Sequence, residues 1–327
     1  MEATPFFERI ASLPKAELHL HLEGSIRPAI ASALAARHGL DLEEAEVRRR
    51  YAYTNFAGFL DAFKWVTSFV REPKDFALIA ADLGEQLIEQ KVVYAEVTLS
   101  VGVMFLRQQQ PEANFAAIVA ATEPFEKRGL RLNWIFDAVR QFGAEAAMGV
   151  VQAARRCASR RIVAFGIGGD ELSLPAAEFR GVYERAEEYG FHRLMHAGEI
   201  GGPEKIREAI EILGVERIGH GIAAIRDAAL METLAERKIP LEICPASNLR
   251  TGALGVQLGK DSPTMGEHPL GEMVRRGVAV TISTDDPAMF HTSLEEEYRN
   301  ALGMGLTEEE ILSVAENGFR FAFGEAR

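Results

Sequence analysis

Residues Ala16 to Ser25 read AELHLHLEGS, with His19 and His21 one leucine apart in a run that otherwise suits a buried strand. Side chains alternate across a strand, so the two imidazoles share one face while Leu18, Leu20 and Leu22 point the other way, toward a helix layer. Two imidazoles one pleat repeat apart can chelate a single metal ion, and a barrel strand would hold them rigidly at its carboxyl end, where barrels keep their chemistry. Alone, an H-x-H pair is a weak signal, since such a pair on a strand is more often structural.

Seven further apolar runs follow the first strand, ELHLHL (Glu17 to Leu22). They are VVYAEVTL (Val92 to Leu99), RLNWIFDA (Arg131 to Ala138), RIVAFGIG (Arg161 to Gly168), RLMHAG (Arg193 to Gly198), ERIGHG (Glu216 to Gly221), IPLEICP (Ile239 to Pro245) and VAVTIST (Val278 to Thr284). Between most of them lie stretches of 3.6-residue apolar spacing, such as Pro111 to Gly129, Gly202 to Gly214 and Asp227 to Lys238, each ended by Gly, Lys or Arg. Eight strands alternating with helices predict a single α/β domain over residues 1–327, a (β/α)8 TIM barrel, with an open doubly wound sheet as the alternative. The connection from Gly24 to Lys91 is irregular. It is expected to hold two or three helices instead of one, inserted after strand one as a helical lid over residues 24–91. Within it, Phe56, Phe59, Leu60, Phe63, Val66 and Val70 recur at helical spacing, a stripe read as a packing face before it is read as a ligand wall.

The formal net charge is −12, so the chain repels phosphate backbones and anionic lipid; nucleic acid and membrane are excluded as partners in favour of a small molecule. The start MEATPFFERI lacks a basic region followed by an apolar one, and no apolar stretch nears eighteen residues, which reads as cytoplasmic. Cys157 and Cys244 form no C-x-x-C pair, so a metal would have to be held by histidine and carboxylate. Oligomeric state is not legible.

Other polar residues fall at the same end of other predicted strands: His196 in LMHAGE, His220 in IGHG, and Asp285 with Asp286 in STDDP. Singly, the histidines read as core residues and Asp-Asp-Pro as a helix start. Jointly they make a site. Three histidines and one carboxylate suit one borderline divalent ion, most simply Zn²⁺, with an open position for a water activated near neutral pH. Strand four ends in GIGGDE, without the lysine that bridges paired metals, so one ion per chain is expected.

The set HLHLEGS, GGDE, HAGE, GHG, CPASNLRTG and STDDP resembles the adenosine deaminase family in order and approximate spacing over nearly the whole chain. The resemblance implies a mononuclear zinc enzyme on a barrel that replaces an exocyclic purine amine by oxygen. By the same resemblance His19, His21, His196 and Asp285 are the zinc ligands, with His21 also touching substrate and Asp285 also catalytic. Glu199 is the acid that protonates ring nitrogen N1, His220 orients the attacking hydroxide and helps shuttle its proton, Asp286 holds N7 and the Gly169 N–H holds N3. The chemistry asks for such an acid independently: attack at C6 pushes charge onto N1, and an apolar pocket would keep a carboxylic acid protonated there.

Glu23 stands where enzymes acting on adenosine often carry Asp for the ribose. With SNLRTG and STDDPAMF it resembles the branch containing adenine deaminases and aminodeoxyfutalosine deaminases, the latter of a menaquinone route. Aminodeoxyfutalosine carries a benzoate in place of the 5′-hydroxyl, for which Arg250 and Arg71 are the candidate partners. Rival readings are a related barrel hydrolysing a cyclic amide, which needs a second metal, and an inactive family member that only binds nucleosides.

Overall fold

The computed structural model describes residues 5–325. Eight parallel strands, β1 (Lys15–His21), β2 (Val92–Leu99), β3 (Arg131–Val139), β4 (Ile162–Gly168), β5 (His192–Ala197), β6 (Arg217–His220), β7 (Leu241–Ile243) and β8 (Val280–Ile282), follow one another in sequence order around the sheet. The ring closes beyond β8, where Asp285 pairs with Leu20: the Asp285 N–H donates to the His19 carbonyl (3.0 Å) and the His21 N–H to the Asp285 carbonyl (2.8 Å). The (β/α)8 reading holds, and the open sheet does not. β7 is shorter than its apolar run because Pro240 and Pro245 flank it without N–H groups, Pro245 opening a helix instead.

Leucines of this stretch pack outward as expected, Leu20 of β1 and Leu22 just beyond it being fully buried in the layer between sheet and helices. The inside of the barrel departs from the usual layers of Val, Ile and Leu. A small apolar layer of Ile135, Ala164 and Leu194 exists. Around it, pairs reach across the barrel: His19 of β1 to Glu242 of β7, and Glu96 of β2 to Arg217 of β6. Below them, the chain end returns under the barrel. Arg217 donates to the Phe321 carbonyl, Phe323 N–H to Glu96, and Gly324 N–H to the Tyr94 hydroxyl.

A first helix, α1 (Pro5–Ser12), precedes β1. Residues 24–91 hold four helices, α2 (Pro28–Arg37), α3 (Glu44–Arg50), α4 (Phe56–Thr67) and α5 (Pro73–Glu89), where two or three were expected. Proline at the first position starts α2 and α5, and the Asn55 side chain caps α4 by accepting from Gly58 N–H at 2.9 Å. The additional helix is α3. It buries only Val47, so its sequence carries no apolar period to read. The stripe on α4 divides: Val66, like Val70 just past the helix end, packs into the core, while Phe56, Phe59, Leu60 and Phe63 line a cavity over the barrel mouth. Among the described residues no helix is long and apolar enough to cross a membrane.

Candidate metal centre and active site

The carboxyl ends of four strands deliver the polar groups. His19 and His21 end β1, His196 lies one residue before the end of β5, His220 ends β6, and Asp285 and Asp286 follow β8. His220 (φ +60°) and Asp285 (φ +63°) both occupy the left-handed region that ordinary side chains avoid, strain that surrounding contacts must hold in place. Gly219 makes room for the cluster, since a Cβ there would stand 2.8 Å from His19 Cε1. Four imidazole rings gather with centroids 4.6 to 5.5 Å apart.

Asp285 uses its two oxygens differently. Oδ1 lies 3.3 Å from His21 Nε2 and 3.6 Å from His19 Nε2. Oδ2 accepts from the Ser247 hydroxyl at 2.6 Å and lies 3.8 Å from His220 Nε2. His19 Nε2, His21 Nε2 and His196 Nδ1 are buried without hydrogen-bond partners. On interatomic distance alone, His19, His196, His220 and Asp285 form the tightest group, one donor atom from each lying within 4.8 Å of the others. Hydrogen bonding separates His220 from the rest. The Leu270 N–H donates to His268 Nδ1 (3.2 Å), so His268 carries its proton on Nε2 and donates to Asn248 Oδ1 (3.2 Å). That fixes the Asn248 amide with Nδ2 toward His220 Nδ1 (3.0 Å), and a neutral His220 then bears its proton on Nε2. A protonated Nε2 is a hydrogen-bond donor and no metal ligand. Burial holds His220 neutral, pushing its pKa down to about 3, and His21 likewise to about 4.

His19 is prepared in the opposite sense. Its Nδ1–H faces Glu242 Oε2 at 2.7 Å, which turns Nε2 into the site. Burial disfavours the imidazolium, but the adjacent carboxylates of Asp285 and Glu242, the latter hydrogen-bonded to Nδ1, outweigh it and raise the pKa to about 10. The surroundings therefore favour positive charge at this point. Three unpartnered imidazole nitrogens beside a carboxylate oxygen fit a tetrahedral-type divalent site with N₃O donors.

Glu199 stands on the loop after β5, its Oε2 3.6 Å from His220 Nε2. The Glu171 carboxylate gathers four successive backbone N–H groups of that loop, Gly198, Glu199 (3.2 Å), Ile200 (3.0 Å) and Gly201 (2.8 Å). Gln257 Nε2 donates to the Glu199 and Gly201 carbonyls at 2.8 and 2.9 Å. Clamped from both sides, Glu199 is also held protonated: burial, then the charges of Asp285 and Glu171, raise its pKa to about 8. Asp286 is raised too, by burial and by Asp285, and its Oδ1 has no partner. Gly24 is the residue it leans on, for a Cβ there would overlap the Asp286 carboxylate.

The cavity above these groups measures about 320 Å³. His21, Gly169, His196, Glu199, His220 and both aspartates line it, as the sequence reading requires; Asp137, raised to about 8 by burial, lines it as well. Glu23 lies buried outside the lining, its Oε1 accepting from Ser100 N–H at 3.2 Å. Arg250 ends the helix Pro245–Arg250 in an exposed position, and Arg71 is exposed with Nε on the Ser68 carbonyl (3.1 Å); neither belongs to the lining. The guanidinium that does is Arg107. Sequence reasoning missed Glu171, Glu242, Asn248 and His268, none of which has a spacing relation to the residue it serves.

A barrel with imidazole and carboxylate donors gathered at its carboxyl-terminal strand ends has the architecture of metal-dependent hydrolases. The chain belongs to the adenosine deaminase family, whose model matches residues 14–327, and it is an aminohydrolase. It is 38% identical over 324 residues to the aminodeoxyfutalosine deaminase of Streptomyces coelicolor, covering 97% of this chain and 82% of that one. An adenine deaminase of the same organism is 34% identical over 98% of this chain and 93% of its own length. The crystal structure of adenine deaminase from Arthrobacter aurescens superposes with a TM-score of 0.88 at 29% identity, covering 95% of this chain and 94% of that one.

Proposed function

We propose that the chain is a mononuclear zinc enzyme that hydrolyses the 6-amino group from a purine nucleoside, with aminodeoxyfutalosine as the favoured substrate. The observation that carries this reading is the division of labour in the cluster: unpartnered nitrogens of His19, His21 and His196 with Asp285 Oδ1 on one side, the protonated Glu199 and His220 Nε2–H on the other. The first set would hold zinc, and a bound zinc ion supplies a nucleophilic water at neutral pH. Glu199 donates its proton to N1 as the electron pair from attack at C6 arrives there; of the two protons of the attacking water, one restores Glu199 and the other leaves with the amine as ammonia when the C6–N bond breaks and the C6=O bond forms. His220 Nε2–H, fixed by Asn248, orients the attacking oxygen from the side facing Glu199. The Asp286 carboxyl, kept neutral, is a donor to N7, and the Gly169 N–H is a donor to N3. Ring acceptors N1, N3 and N7 thus each meet a donor, a match to an aminopurine.

The aminodeoxyfutalosine deaminase at 38% identity supports the nucleoside substrate; adenine is the second reading, favoured by the adenine deaminase at 34%. Purified protein is expected to carry one zinc per chain by elemental analysis and to release ammonia faster from aminodeoxyfutalosine than from adenosine or adenine. Two equivalents of metal overturn the single site, fastest release from adenine selects the second reading, and no release from any of the three by zinc-loaded protein rejects the proposal.

A further inference from the structure

We propose that Arg107, supported by Lys64, is the specificity-determining residue that binds an anionic group carried on an apolar substituent of the purine substrate. The inference rests on the deaminase reading above and adds the chemistry of the substrate's far end. The cavity has two unlike regions. Around the metal ligands it is lined by carboxyl groups, those of Glu199, Asp285, Asp286 and Asp137. Away from them its wall is apolar, built by Phe56, Phe59, Leu60 and Phe63 of α4 and by Val103 and Leu106 of α6 (Val101–Leu106), and Leu106 is left 65% exposed at the rim. At about 320 Å³ the space is in the range of a drug-sized ligand and exceeds the need of a bare base.

Two cations line this apolar region, Arg107 and Lys64. Arg107 is half-buried, and among the described residues neither forms an ion pair with a carboxylate. By contrast, most arginines of the 24–91 connection are paired, Arg27 to Asp82, Arg37 to Glu72 and Asp75, Arg48 to Glu44 and Arg50 to Glu46. A guanidinium offers five N–H donors. Arg107 spends two, Nη1–H on the Thr67 carbonyl and Nη2–H on the Thr67 hydroxyl (2.9 Å), which leaves three, Nε–H among them, for a ligand. The Thr67 contacts fix the guanidinium at the end of α4, so the fork is held in place before a ligand arrives. A half-buried, oriented cation with no carboxylate in ion-pair contact, at the end of an apolar wall, recognises a carboxylate on an aryl or alkyl arm in charge-assisted, forked geometry. The proton donors at the other end, Glu199 and Asp286, match the ring nitrogens of a purine and not an apolar arm, so the ligand enters in one orientation, amine toward Glu199 and anion toward Arg107.

The test compares two nucleosides differing only in charge, aminodeoxyfutalosine and its benzamide counterpart, with adenosine 5′-monophosphate as a third arm. In Arg107→Met, kcat/KM for the carboxylate is expected to fall about 10- to 100-fold further than for the carboxamide, the range of a charge-assisted hydrogen bond. Arg107→Lys should restore part of the discrimination. Both substrates are measured on the same protein, so a loss of fold cancels in the ratio. An unchanged ratio overturns the assignment, as does a wild-type preference for the monophosphate that Arg107→Met abolishes, since the anion would then sit on the sugar. Wild-type protein that deaminates none of the three rejects the deaminase reading and the inference with it. Wild-type protein active on the carboxamide with no loss specific to the carboxylate in Arg107→Met rejects the inference alone.

Discussion

At the scale of single residues the site is decided by where protons sit. Leu270 N–H, His268 and Asn248 form a chain that starts at a backbone donor, whose polarity cannot reverse, and ends at His220. Replacing Asn248 by Asp breaks that polarity, because a carboxylate accepts from both neighbours. His220 would then place a proton on Nδ1, leaving Nε2 to accept from Glu199 instead of donating toward the attacking oxygen. Asn248→Asp is therefore expected to lower kcat about 10²- to 10³-fold, within the range of a misplaced acid–base group, while zinc content by elemental analysis stays at the wild-type value. A kcat within about twofold of wild type would show that the tautomer does not matter. The residues at the ends of such chains were legible because type and strand position betray them: His-x-His on β1, and histidines or aspartates where a strand stops. Asn248 lies within a motif that gives it no role and His268 lies in none, because their work is done through partners 20 and 28 residues apart that only the fold brings together. Glu171 escaped for the same reason, being an acid after a glycine pair until the loop beyond β5 is folded around it.

At the scale of elements, the eight strands were readable because burial on both faces leaves continuous apolar runs, interrupted at their ends by the functional residues. The chain end was not. FAFG has no period, yet Phe323 lies with its ring 3.6 Å from the Arg217 guanidinium and stacks on His192 at 4.3 Å. Arg217 in turn is held between Glu96 Oε2 and Glu242 Oε1, each at 2.6 Å, and Glu242 orients His19. Two residues, Arg217 and Glu242, thus connect the segment that closes the bottom of the barrel to a proposed zinc ligand at the top. Deleting residues 321–327 admits water to Arg217 and loosens its grip on Glu242. The deletion is expected to lower the thermal midpoint and to weaken zinc retention about 10- to 100-fold in a chelator competition, the range seen when a partner of a metal-bound histidine is lost. Retention equal to wild type in the deleted protein would sever the proposed link between the two ends of the barrel.

At the scale of the whole molecule, the acidic balance of −12 says nothing of which acids are inside. Leu294–Gly303 begins with three consecutive glutamates that read as a solvated helix start, and Glu295 and Glu296 do remain at the surface. Glu297 does not. It is fully buried, accepting from Thr292 Oγ1 (2.7 Å), Ala246 N–H (3.2 Å) and Asn300 Nδ2 (3.3 Å), and burial outweighs these donors to raise its pKa from 4.5 to about 7. A carboxyl whose folded pKa lies above its unfolded value binds its proton more tightly in the folded state. Its contribution is fully present below about pH 4.5, falls as pH rises through the folded pKa, and is gone above about 7. At 1.36 kcal/mol per unit this amounts to roughly 3 kcal/mol across the window. Glu297→Gln keeps a neutral amide at every pH and has no such slope. Urea unfolding of both proteins at pH 5, 6, 7 and 8 should therefore show wild type losing stability relative to Glu297→Gln between pH 5 and 7, with little further change to pH 8. Comparing the two at each pH removes the contribution of the histidines and of metal binding, which both proteins share. A stability difference that stays constant from pH 5 to 8 would mean that Glu297 is ionised in the folded protein, and that its three hydrogen-bond donors, rather than its burial, set its state.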